Sequence, residues 1–166
     1  MSCVLRAHGE SFQVHEFLKK SSLQPDSVFQ KGDPVASDGK KGSQHSASGF
    51  SVSVSEADFA DLEGQIREAI LFLDEYEDEL RRLGSFSGVQ GVSLEFGIEW
   101  REPSFLTDLP GVGGPGSRTG LRQTPVQTDV FPADLLWRAG ALDIWLAVTH
   151  YFLSKESRDS GASRKN

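Results

Sequence analysis

Residues 49–84 read GFSVSVSEADFADLEGQIREAILFLDEYEDELRRLG, and the change of period inside this stretch decides the fold class. From Phe50 to Val54 apolar residues take alternate positions, with serines between them, which predicts a strand with one wet face. From Phe59 onward the step becomes three or four. Leu62, Ile66, Ala69, Ile70, Leu73, Tyr76, Leu80 and Leu83 form a stripe that a helix would turn toward a core. Ser55 with Asp58 three residues later resembles a capping box, and Gly84 supplies a stop. The spacing predicts one continuous helix over 56–83.

Working outward, the same two periods recur. Cys3, Leu5 and Ala7 alternate with Arg6 and His8, a strand over 2–9. In SFQVHEFLKKSSL, Phe12, Val14, Phe17 and Leu18 share one helical face, with Ser11 as the expected cap. PDSVFQKGDP holds a short extended piece between two proline turns. Val92, Leu94, Phe96, Ile98 and Trp100 alternate again over 91–100. FPADLLWRAGA, with Pro132 near its first turn, predicts a short helix. LDIWLAVTHYF (142–152) is apolar at both parities and reads as a central strand.

The expected order is β-α-β-β-α-β-α-β. It defines an α+β fold, a mainly antiparallel sheet with helices packed on one face. A single domain over 1–153 accounts for these elements. Residues 31–48 and 102–128 carry little to bury and read as mobile loops, and 154–166 as a disordered tail.

Composition narrows the function classes. The formal charge of −7 disfavours nucleic acid as a partner, because phosphate contacts need a basic face. The start MSCVLRAHGE has no charged segment followed by an apolar run, and no stretch approaches 18 consecutive apolar residues. With one cysteine, Cys3, no intrachain disulfide forms. The expectation is a cytoplasmic protein with no membrane partner.

GVGGPGSRTG (111–120) contains the spacing G-x-G-x-x-G and lies close to a phosphate loop. Both readings fail on their flanks. The preceding strand ends near Trp100, about ten residues too early for a dinucleotide turn. Ser117-Arg118 stand where a phosphate loop needs Lys-Ser or Lys-Thr. No cofactor is expected.

The four histidines, His8, His15, His45 and His150, lack the company that metal ligation needs, so no metal is expected. Cys3 and His8 lie five residues apart on one strand, on opposite faces and about 16 Å apart, which defeats a nucleophile pair. No serine sits in G-x-S-x-G. The sequence offers no catalytic residue.

Acidity on the long helix stands out. Between 56 and 79 there are ten acids against Arg67 alone. Glu63–Arg67, Glu77–Arg81 and Asp78–Arg82 at i, i+4 would relieve part of it. Asp74, Glu75, Asp78 and Glu79 remain close together with little compensation, and like charges at that spacing cost helix stability. These four residues are the expected face for a basic partner, the alternative being a solvated surface.

GESFQVHEFLKKSSLQPDSVFQKGDP, the acidic helix and the closing FPADLLWRAGALDIWLAVTHYF resemble the bacterial family called domain of unknown function 4279. The likeness includes an L-x-P-[TD]-x-x-[WF]-x-K-G-[DE] turn at Leu23, Pro25, Asp26, Phe29, Lys31, Gly32 and Asp33. It covers most of 3–153, and the long loops at 34–48 and 102–128 depart from the pattern. The resemblance implies an immunity-type, non-enzymatic protein that binds a cognate toxin, and carries over no catalytic residue. The alternative is a small-ligand or enzyme site between sheet and helices, using His8, His150 or Tyr151.

Overall fold

The computed structural model describes residues 2–35, 43–100 and 127–152. Its elements are β1 (Cys3–Gly9), α1 (Val14–Leu18), β2 (Ser27–Phe29), β3 (Ser48–Ser55), α2 (Leu62–Glu75), α3 (Glu77–Gly84), β4 (Gly91–Glu99), α4 (Ala133–Ala141) and β5 (Trp145–Tyr151). The fold is α+β, a five-stranded, mostly antiparallel open sheet in the order β2-β3-β1-β4-β5. Only β4 and β5 run parallel, joined through α4.

The alternations in sequence set the two faces of this sheet. Leu5 pairs with Val52 on one side and Leu94 on the other, and Ala7 with Phe50 and Val92. These side chains point to the helices and are buried together with Phe96 and Ile98. Val14 and Phe17 of α1, Ile66, Ala69 and Leu73 of α2, Leu80 and Leu83 of α3, and Leu135 and Ala139 of α4 close the core. Phe12, Phe17, Phe50 and Phe86 make an aromatic cluster, with Phe17 and Phe50 stacked at 5.9 Å. The other face keeps the serines and Arg6, the latter paired with Glu95 at 2.7 Å.

Five expectations need correction. The long helix is two: Tyr76 leaves helical geometry (φ −107°, ψ 17°) between α2 and α3. Its start lies later as well. Ser55 and Asp58 accept from the amides of Ala57 and Ala60 in local turns, while Asp61 caps α2 by accepting from Gly64 at 2.9 Å. A short turn that returns its hydrogen bond two residues on competes with a helix cap, and here it wins. The first helix is likewise shorter than its apolar face suggested, beginning after Gln13 rather than Ser11.

The fourth concerns β5. Its apolar residues at both parities suggested a central strand, but it lies at the sheet edge with most of its side chains exposed. The central strand is β1. The crossover through α4 lays β5 beside β4, and no further strand follows among the described residues. The helix–strand turn is firmly made. Ile144 N–H donates to Ala139 O at 2.9 Å and Asp143 N–H to Gly140 O at 3.2 Å, with Asp143 left-handed at φ 56°. This is a Schellman stop built on aspartate instead of glycine.

Part of the stretch read as a mobile loop, 31–48, is paired. Gly32 and Asp33 exchange hydrogen bonds with His45, Val35 N–H donates to Ser43, and His45 stacks on Phe29 at 4.4 Å. The middle of that stretch, the glycine run 111–120, most of the loop at 102–128 and the tail at 154–166 lie outside the described residues.

Candidate functional site: the acidic junction of two helices

The segment DEYEDE, residues 74–79, holds five acids in six positions and coincides with the break at Tyr76. The break has an electrostatic logic. In one straight helix these carboxylates would crowd mid-helix, where like charges repel. With α3 starting at Glu77, three of them, Glu77, Asp78 and Glu79, fall in a first turn, where free amides and the helix dipole favour negative charge. The aromatic pair Phe72–Tyr76, at 4.8 Å, covers the turn. Burial and the adjacent Glu75 carboxylate push the Tyr76 phenol up.

The four acids expected to face a partner have different surroundings. Glu79 turns inward, its side chain only 12 % exposed. Its carboxylate accepts from the hydroxyls of Ser21 and Ser22, from the Ser22 amide at 2.8 Å and from Arg82 at 3.3 Å. Burial alone would raise this carboxyl, but the serine hydrogen bonds and Arg82 outweigh it and hold Glu79 below its ordinary value. Arg82 also donates to Lys20 O at 2.7 Å and lies 5.4 Å over the Phe17 ring. Glu79 and Arg82 therefore fasten the turn after α1 to α3.

Asp74 pairs with Arg138 of α4, which also holds Asp134. Glu75 and Asp78 are exposed and pair with no base among the described residues. They rim a depression of about 460 Å³ with Ser22, Tyr76 and Glu77. Of the expected helix pairs, Glu77–Arg81 forms at 2.7 Å. Arg82 takes Glu79 in place of Asp78, and Glu63 and Arg67 form no ion pair among the described residues.

A second cavity, about 390 Å³, opens where α2 begins and β4 ends. Phe59, Leu62, Ile66 and Ile98 line it together with Glu99 and Asp129. Asp129, 8 % exposed, meets His150 Nε2 at 2.8 Å, and Trp100 packs edge-on against that imidazole. His8 does not join this group. It pairs with Gly91 at the start of β4, whereas His150 pairs with Ile98. The seven-residue offset separates them by about 23 Å, on opposite faces. Tyr151 lies on the open face against Phe59. Cys3 is fully buried, and burial pushes its thiol up and away from thiolate reactivity. No cluster of three metal-ligating side chains occurs among the described residues.

The Ser21–Ser22 clamp on Glu79 left no mark in the sequence, because its partners are 57 and 58 residues apart. Gln65 is similar: a polar residue beside the α2 stripe, wholly buried, donating to Gly97 O and Asp58 O.

The fold and the junction together define a class: an open-sheet α+β protein whose helical layer carries a concentrated acidic surface. Comparison of the chain with protein-family models, with curated proteins and with solved structures finds no match. The likeness to domain of unknown function 4279 therefore rests on the residues quoted for it.

Proposed function

We propose that this protein is a non-enzymatic, immunity-type binder that neutralises a basic toxin in the cytoplasm by docking on the α2–α3 junction. The observation that carries the reading is the pair Glu75 and Asp78, exposed at the rim of the depression with no base to compensate them. Asp74 and Glu79 complete the acidic field while holding the helices in place. Exposed rim charges steer encounter more than they hold a complex, so the junction sets association rate and an apolar anchor sets lifetime. The overall charge of −7 favours a cationic protein and opposes nucleic acid. Among the described residues no helix is long and apolar enough to cross a membrane. The test is to mix the purified protein with the product of the adjacent gene. A stable complex in which that product loses its toxicity supports the reading, and no association at low salt refutes it.

A second reading has its own observation. The His150–Asp129 pair beside the 390 Å³ cavity is the geometry of an oriented imidazole, and the volume suits a small ligand. It predicts that a small-molecule library contains compounds that raise the melting temperature and lose that effect in His150→Ala. A library without stabilising compounds removes this reading.

A further inference from the structure

The two edges of the sheet are built differently. The β2 edge is three residues long and tied down: the Asp26 carboxylate accepts from Ser53 N–H, and the pairing of Gly32, Asp33 and Val35 with His45 and Ser43 follows directly. The β5 edge is seven residues long, and among the described residues its outer side pairs with nothing. From Trp145 to Phe152 it contains no Lys, Arg, Asp, Glu or Pro. Charges, proline and shortness are how sheet proteins guard an edge from pairing, and β5 lacks all of them.

Apolar exposure gathers at the same place. Six of the nine large hydrophobic side chains exposed among the described residues belong to α4, β5 and Phe152. Trp145 is 61 % exposed and Phe152 77 %. Arg138 reaches α2 through Asp74, so Leu136, two residues earlier and about 160° around the helix, faces away from α2. That leaves the acidic junction on the other flank of α4.

We propose that β5 is the interface of a homodimer, in which a second copy adds its own β5 antiparallel and the two sheets become one of ten strands. A two-fold axis through Val148 makes the strand its own complement. Trp145 falls opposite Tyr151 of the second copy, Leu146 opposite His150, and Ala147 opposite Thr149. On the open face a large pair thus flanks each small pair, which lets the aromatic rings pack across the seam. Charge selects the same edge. Two chains of −7 repel over most of their surface, and this strip has no Asp or Glu to add to that repulsion and no Lys or Arg to oppose its own copy. The symmetric placing of large and small residues about Val148 fits the edge to a like copy, and the acidic junction stays open for the partner proposed above.

Sedimentation velocity on the full chain tests this. A species of about 36 kDa, twice the 18.2 kDa chain, is expected. Val148→Lys sets two ammonium groups against each other on the axis and weakens dimerisation at least tenfold, with circular dichroism and melting temperature of the monomer retained. Thr149→Lys, on the opposite face of the strand, gives the same result if Val148→Lys does not fold. A wild-type chain still monomeric at about 100 µM, or a dimer indifferent to the foldable variant, overturns the proposal.

Discussion

The inner and outer sides of the α2–α3 junction hold the same kind of residue under opposite physics. On the inner side, Glu79 finds Arg82 and two serines, and the half-exposed Asp74 beside it finds Arg138, so that their charge becomes part of the scaffold. On the outer side, Glu75 and Asp78, one to four positions away in sequence, meet no base among the described residues. A run of acids is thus two populations. Which acid belongs to which depends on where α3 starts and on what lies across from it. Net charge alone treats them alike; packing separates them.

The largest effects should come from the packing that fixes this division. Leu73, 1 % exposed, stands just before the break and Leu80, also 1 % exposed, just after it. Leu73→Ala should cost about 2–5 kcal/mol in urea unfolding, whereas Ile70→Ala, at a half-buried position, should cost clearly less. Equal losses at both sites would mean that α2 presents a different face to the sheet.

Next comes the inner acid. Glu79→Gln keeps the shape but removes the charge that Ser21, Ser22 and Arg82 surround, and should cost about 1–3 kcal/mol at neutral pH. Its pH dependence has a definite sign. Because the folded state holds this carboxyl below its ordinary value, its contribution is complete above about pH 4.3 and is lost as pH falls through the lowered folded value. The gap between wild type and Glu79→Gln should therefore be flat from about pH 6 to 8 and close in acid. A gap that widens in acid would place Glu79 outside the clamp.

Asp74→Asn should be milder, about 0.2–1 kcal/mol, since Arg138 keeps Asp134 and the pair is partly solvated. Smallest of all, Glu75→Gln with Asp78→Asn should leave stability within about 0.5 kcal/mol of wild type. A loss above 1 kcal/mol from that pair would erase the distinction between the two sides.

The sequence carried the strands and the layering well. The alternations at Leu5, Ala7, Phe50, Val52 and Leu94 became the buried face of the sheet, because a half-buried strand admits one register. The break at Tyr76 was not legible. The stripe runs through it with Tyr76 in place, and hydrophobic spacing does not encode the backbone turn that separates α2 from α3. Nor was the rank of β5. An apolar strand reads the same whether both its faces are covered or it closes the sheet. At the acidic segment the sequence singled out Asp74, Glu75, Asp78 and Glu79 but not their different surroundings, since the groups that neutralise Asp74 and Glu79 come from α4, from α3 and from the turn after α1.

The most direct test of this division is the rate at which the protein meets its partner. Surface-bound kinetics against the product of the adjacent gene, at low and at high ionic strength, should show the Glu75→Gln/Asp78→Asn variant associating several-fold more slowly than wild type at low salt. The difference should shrink as salt is added, with dissociation little changed. Equal association rates at low salt would contradict the account and leave the outer acids as a solvated surface.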